Sequence, residues 1–350
     1  MVLGNNLILR EALAGQPQEG ELPRGAVWVR MPRFIGDSVM IHQALEPLRA
    51  AGLPLVAWGP PAVAELFRGS AAFAGVWADG EERHSAWALR GLLRETRAAA
   101  VLNLPRSIRA LLAAWMARVP LRAGWRDGGG SLLSTCSLPF AGPGHQLDRY
   151  AALLAKAYPG LAPAPAVPFR PRPEALESGD LALRDLGGPI AALALGAMTP
   201  TKRLGSAVWA ALIPLLRAAG FTPVLLGGPG ADEAQAAEIL ALEPGVANLS
   251  GRLPLSTTAA IIARAAVLVG NDSALSHLAA ACGTPVLAVF GPTLPSATAP
   301  VGARVTVARK ADLPCLECRL FRCPVPGHPC MNALAPGELM AQISRLVDGS

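Results

Sequence analysis

Short apolar runs recur along the chain at 27–30, 55–59, 100–104 and 122–125, and again at 190–195, 222–227, 265–269 and 285–290. Each is long enough for a strand and too short for a helix. Continuous apolarity marks strands buried on both faces, as in parallel sheets. Helix-length segments at 38–50, 107–118, 206–219 and 232–242 lie between them. This alternation specifies an α/β fold, with helices covering both faces of parallel sheets. Pro159, Pro163, Pro165, Pro168, Pro171 and Pro173 separate the two sets of runs, which reads as a linker that permits domain motion. The expected layout is an N-terminal extension over 1–24, a Rossmann-like domain over 25–170 and a second over 171–350. Two doubly wound domains facing each other bring the C-terminal ends of both sheets to one central cleft, where ligands bind.

At 350 residues the chain can bury two full cores. Its net charge is +6, and among its basic residues only Lys156, Lys202 and Lys310 are lysines. Arginine's planar fork suits phosphates and carboxylates. The charge favours anionic partners: a nucleotide, an acidic glycolipid or the inner face of a membrane, with no nucleic acid called for. Residues 1–24 contain Glu11, Glu19 and Glu21 and no long apolar core. They do not read as a signal peptide, so a cytoplasmic protein that touches the inner membrane surface is expected.

Four motifs carry candidate chemistry. Val269–Leu278 reads as a strand that stops at Gly270, followed by Asn271, Asp272 and Ser273 capping a helix that runs through 281. Free amides at such a helix start attract phosphate. Arg33-Phe34-Ile35-Gly36-Asp37 follows the first strand. There Asp37 is either the helix cap or a general base at the cleft edge. Gly196 to Arg203 offers Thr199, Thr201, Lys202 and Arg203 to a diphosphate, without Walker-loop spacing. Leu226 to Glu233 places Gly227 and Gly228 where a ligand approaches backbone, and Glu233 where it either accepts from ribose hydroxyls or favours the helix start.

Taken in order, Gly36-Asp37, Thr199 to Arg203, Gly227 to Glu233, Asn271 to His277 and Phe290-Gly291-Pro292-Thr293 resemble the signature series of glycosyltransferase family 9, the ADP-heptose:lipopolysaccharide heptosyltransferases. Leu104-Pro105-Arg106-Ser107 and Gly124-Trp125-Arg126 resemble the enzymes that add the second core heptose more than those that add the first. Gln43 departs from the pattern, since the family often has proline at that place. The resemblance implies a GT-B fold and inverting, metal-independent transfer of a heptose from ADP-heptose to a lipid A-Kdo/heptose glycolipid of the inner core. It implies that Asp37 is the base and that Lys202 and Thr199 contact the phosphates. Ser273, Ala274, Leu275 and His277 would cradle the phosphates, Asp272 and Glu233 would hold sugar hydroxyls, and Leu255 would lie near adenine. Arg106, Ser107, Arg109 and Arg126 are the candidate acceptor contacts. Two rivals share the expected fold: a nucleotide-sugar epimerase and a catalytically inactive nucleotide-sugar-binding protein.

Cys315, Cys318, Cys323 and Cys330, with His328, form a dense segment over 315–330. Their spacing is compatible with a structural zinc or a disulfide, although the family has similar Cys-rich tails and no cofactor is required for the chemistry.

Overall fold

A computed structural model of the protein describes residues 22–79, 85–142 and 144–349. The expected N-terminal extension lies outside the described residues, apart from its last three.

Two six-stranded parallel sheets form the framework. The first contains β1 (Val27–Arg30), β2 (Leu55–Gly59), β3 (Gly75–Ala78), β4 (Ala100–Asn103), β5 (Leu121–Trp125) and β6 (Cys136–Leu138). The second contains β7 (Ile190–Ala194), β8 (Thr222–Leu226), β9 (Ala247–Asn248), β10 (Val267–Asn271), β11 (Val286–Val289) and β12 (Val305–Ala308). Their orders, β3-β2-β1-β4-β5-β6 and β12-β11-β10-β7-β8-β9, are the same doubly wound arrangement used twice. Each order reverses beside its first strand, between β1 and β4 and between β7 and β10. Those reversals open crevices at the C-terminal strand ends.

All eight runs read from the sequence are strands. The four that were not read, β3, β6, β9 and β12, are the edges of the sheets. Most of their residues are only half buried, so they carry no continuous apolar run. The helix expected at 38–50 is two, Ile35–Ala44 and Glu46–Ala50, with Pro47 near the start of the second. The strand before Ser273 continues through Gly270 to Asn271 instead of stopping at Gly270.

Alternation along β1 shows the layering. Val27 and Val29 face the core shared by both halves, whereas Trp28 faces the outer layer with Trp58, Leu89, Val101 and Ala114. The proline-rich stretch is docked rather than a free tether. Phe169 is buried, its amide donates to the Ala281 carbonyl at 2.8 Å, and its ring meets Phe67 edge-on.

Trp28 is fully buried between Trp58 and Trp77, with ring centroids 6.4 and 6.3 Å away. Trp28→Ala should therefore cost about 3–5 kcal/mol in urea unfolding. A loss under about 1 kcal/mol would mean that this outer layer collapses around the cavity without penalty.

Candidate active site

At the end of β10, Asn271 is fully buried and bonded on both sides of its amide. Its Oδ1 accepts from the Leu204 amide at 3.0 Å, and its Nδ2 donates to the Leu195 carbonyl at 2.8 Å. Asn271 is thus a strand residue that ties the loop after β7 to β10, not the cap its position suggests. The next residue, Asp272, accepts from Lys202 Nζ at 2.7 Å and from Thr293 Oγ1 at 2.7 Å. Ser273 then occupies the cap position of the helix Ala274–Cys282 with extended backbone and no side-chain capping bond. Its Oγ is buried without a hydrogen-bond partner. The first amides of this helix therefore lack a side-chain cap and lie beside an ammonium group, an arrangement suited to an anion.

The loop after β7 divides its residues between two tasks. Thr199 precedes the short 3-10 turn Pro200–Lys202, which presents Lys202 to Asp272. Thr201 is buried, and its hydroxyl donates to the Leu320 carbonyl at 2.6 Å. This departs from its expected phosphate role, because the hydroxyl anchors the cysteine-rich segment. Arg203 pairs with Asp232 at 2.7 Å, while the other oxygen of Asp232 accepts from the Gly228 amide at 2.8 Å. A Cβ at Gly196 or Gly227 would come within 2.5 or 2.6 Å of the Asp232 side chain. Asp232, expected only to favour the start of its helix alongside Glu233, is the post around which these loops fold. Glu233 reaches back to the helix start and accepts from the Gly230 amide at 2.7 Å, which is one half of a capping box, since Gly230 has no side chain to return the bond. Its carboxyl also packs on Gly251, where there is no room for a Cβ. Leu255 opens the helix Leu255–Arg264 and is half buried.

Across the cleft, Phe34 holds the cap position of the helix Ile35–Ala44, and Asp37 is the third helical residue. Asp37 is thus not the N-cap. Gly36 allows close contact with the other half: a Cβ there would stand 3.0 Å from His277 Cδ2. That approach brings Asp37 into the field of Lys202 and Asp272. Burial holds its carboxyl up at about 6; Lys202 pulls it down and Asp272 pushes it up, both less strongly. His277 is buried, which lowers its pKa to about 4 and leaves it neutral at pH 7; Asp272 opposes that shift, while His145 and Lys202 add to it.

Among the described residues, three side chains of the N-terminal half bond backbone of the other half. Gln43 Nε2 donates to the Val301 carbonyl at 2.8 Å, His145 Nε2 lies 2.9 Å from the Ala299 carbonyl, and Glu65 Oε1 accepts from the Ser256 amide at 3.2 Å. The Leu147 amide donates to His145 Nδ1 at 3.1 Å, so the proton sits on Nε2 and is donated to Ala299.

The candidate acceptor residues do not stay together. Arg106, its guanidinium 4.8 Å above the Phe140 ring, lines a cavity of about 290 Å³ with Asn103, Trp125 and Asp127. Asn103 Oδ1 is buried without a hydrogen-bond partner, leaving an acceptor unsatisfied. Ser107 instead caps the helix Ile108–Met116, accepting from the Ala110 amide at 3.4 Å. Arg109 stands 3.9 Å from Asp79, which Arg30 holds at 2.7 Å. Arg126 is exposed and is not part of the cavity wall. Tyr150 links the cavity to the cleft: its ring lies 6.2 Å from that of Trp125, and its hydroxyl feels the Asp37 charge.

Cys315, Cys318, Cys323 and Cys330 carry free thiols and surround a small cavity shared with Thr201 and His328. Among the described residues no three or more His, Cys, Asp or Glu side chains are arranged to hold a metal ion. The zinc and disulfide expectations therefore gain no geometric support. What the segment does here is brace the Lys202 loop through the Thr201–Leu320 bond.

The raised pKa of Asp37 sets a stability trend. Its folded value of about 6 exceeds the ordinary 3.8, so the folded state binds more protons between those limits and loses stability as pH rises through them. Asp37→Asn removes that loss. In urea unfolding the variant should match the parent near pH 4 and exceed it at pH 7.5 by on the order of 1–2 kcal/mol, after discounting for partial exposure. A difference that does not change with pH would refute the shift.

Comparison with known proteins agrees with this architecture. Residues 86–327 match the family described as Glycosyltransferase family 9 (heptosyltransferase). The lipooligosaccharide heptosyltransferase 2 of Haemophilus influenzae is 27% identical over 308 residues, covering 79% of this chain and 86% of that protein. The structure of E. coli ADP-heptose lps heptosyltransferase II superposes with a TM-score of 0.77 at 24% identity, over 93% of this chain and 99% of that one. A family 9 glycosyltransferase from Veillonella parvula gives a TM-score of 0.79 at 18% identity, over 95% and 99%. These structures share the GT-B fold. Together with the family match, which spans well over half of the sequence, they lead to one conclusion: the chain belongs to glycosyltransferase family 9 and is a glycosyltransferase of heptosyltransferase type.

Proposed function

We propose that this enzyme transfers a heptose from ADP-heptose to a saccharide of the lipopolysaccharide inner core, with inversion and without a metal ion. One observation carries the reading. A carboxyl from the N-terminal half, Asp37, shares an electrostatic cluster with Lys202, Asp272 and the uncapped helix start at Ser273 from the other half. A base and an anion site on opposite walls of one cleft are what a single displacement needs. Asp37 takes the proton of the acceptor hydroxyl, and the oxygen attacks the anomeric carbon. The diphosphate leaves toward Lys202 and the Ala274, Leu275 and His277 turn. One displacement inverts the configuration.

The charge on the departing ADP is met by Lys202 and the backbone amides, fixed before reaction and thus free of reorganisation cost. Thr199, whose carbonyl accepts from the Lys202 amide at 3.0 Å, adds a hydroxyl on the same turn. Asp272 aims Lys202 and keeps its second oxygen for a sugar hydroxyl. Glu233, at the tip of the β8 turn, faces the ribose, and Leu255 supports the adenine. Arg106 and the unsatisfied Asn103 oxygen receive the acceptor, with Arg126 at the exposed approach. Among the described residues no helix is long and apolar enough to cross a membrane. We place the enzyme in the cytoplasm, meeting its lipid A-Kdo/heptose acceptor at the inner face of the inner membrane.

Asp37→Ala should lower kcat by about 10²–10⁴-fold while ADP affinity stays within about threefold. For the parent, kcat/KM should rise with pH and level off above about pH 6, where the Asp37 base is ionised. Near-parental turnover by Asp37→Ala would remove the base from its role. Lys202→Ala should cost about 10²–10³-fold in kcat and also weaken ADP binding. Turnover unaffected by EDTA supports the metal-free route. ADP-heptose consumed without acceptor, giving an isomer, would instead identify an epimerase.

A further inference from the structure

The N-terminal half exposes an apolar stripe that neither its core nor the cleft uses. Ile108, Leu112 and Trp115 recur along one face of the helix Ile108–Met116 and are 48%, 37% and 52% exposed. The opposite face, with Ala110, Leu111, Ala113 and Ala114, is buried. Leu132, 86% exposed, extends the stripe from the short helix packed alongside. Trp87, 67% exposed, adds a second indole from the helix Ala86–Glu95. Arg90 joins the two helices, its guanidinium 5.5 Å from the Trp87 ring and its Nε donating to the Met116 carbonyl at 3.4 Å. Exposed large apolar side chains clustered in this way mark an interaction surface.

Charge identifies the occupant. Residues 85–134 contain eight arginines and only two carboxylates, Glu95 and Asp127; Arg109 stands toward Asp79 just before this segment and Arg122 bonds the Val119 and Leu133 carbonyls. Arg94 lies on the Trp87 face of its helix, and Arg97 and Arg118 are exposed just past the two helix ends. Tryptophan and leucine ringed by arginine suit the boundary between anionic headgroups and acyl chains. The same composition disfavours a second copy of this chain, because a twofold contact would set arginines against arginines.

We infer that this face, centred on Trp87, Trp115 and Leu132, docks the enzyme onto an anionic lipid bilayer. The inference builds on the proposed glycolipid acceptor and adds its direction of approach. Ile108 belongs both to the stripe and to the wall of the Arg106 cavity, so a saccharide enters the cavity while its lipid anchor stays in the membrane.

The test uses the full chain in two separate assays. Flotation with vesicles of phosphatidylglycerol and phosphatidylcholine, against phosphatidylcholine alone, reads docking without substrate. Transfer to a deacylated, water-soluble core saccharide reads catalysis without lipid. The parent should prefer the anionic vesicles. Trp115→Ser with Leu132→Ser should lower its partitioning at least about tenfold, and Arg94→Glu with Arg118→Glu should lower it most at low salt. Both variants should keep parental transfer to the soluble saccharide, which also shows that they are folded. Equal flotation of parent and Trp115→Ser/Leu132→Ser overturns the inference, as does a parent indifferent to lipid charge. A vesicle-free dimer that the serine variant dissolves overturns it in favour of self-association. Failure of soluble-saccharide transfer by the parent, with vesicle docking intact, counts against the proposed reaction and leaves the docking face standing.

Discussion

The contact between Gly36 and His277 sets the distance across which everything else in the cleft works. Two helices, one after β1 and one after β10, meet where the first has no side chain and the second presents an imidazole ring. A Cβ at Gly36 would press on that ring at 3.0 Å. Any larger residue would need the ring to give way or the helices to part, and parting would take Asp37 away from Lys202 and Asp272. Because His277 is buried and neutral, the contact places no extra cation beside the Lys202–Asp272 pair. The close approach thus couples the halves sterically while leaving the electrostatics to three charged groups.

Those three charges are unequal in their freedom. Asp272 is nearly buried and committed to Lys202 and Thr293, whereas Lys202 is a quarter exposed and has further donors for a ligand. Asp37 has burial raising its pKa, with a cation and an anion acting in opposite directions. A carboxyl held at about 6 is mostly ionised at neutral pH yet keeps more proton affinity than an ordinary aspartate. That balance suits a general base, whose efficiency rises with basicity as long as it remains deprotonated. An arriving diphosphate would draw on Lys202 and reduce its pull on Asp37, so donor binding would make the base stronger.

The legibility of the sequence followed burial. The inner strands of both sheets were visible because their two-sided burial demands unbroken apolar runs, whereas β3, β6, β9 and β12 hid because edge strands need only partial burial. At the site, Asp37, Lys202, Asp272 and Ser273 were legible because they stand in short motifs beside strand ends. The pairings of Asp232, Gln43 and His145 were not. Their roles depend on partners distant in sequence, such as Arg203, Val301 and Ala299, and no local pattern encodes such pairings. Three candidate contacts have other partners in the fold. Thr201 donates to Leu320, Ser107 caps a helix start, and Arg109, in the first turn of that helix, stands toward Asp79.

Gln43, where the family resemblance leads one to expect proline, ties the helix after β1 to the other half. Proline at that place has no side-chain donor. Glutamine supplies one, and it reaches the Val301 carbonyl in the other half. His145 uses the same device on Ala299, two residues earlier in the same loop. Both bonds end on backbone oxygens, so their geometry depends on the path of the 299–301 loop and not on its side chains. That loop follows the short helix Pro295–Thr298, which comes soon after Thr293, the partner of Asp272. Two of the bonds between the halves therefore converge on the segment that also orients the Lys202–Asp272 pair, while Glu65 makes its own tie to the Ser256 amide. A change in the angle between the halves that keeps these two bonds has to carry this segment with it, and with it the partner of Asp272.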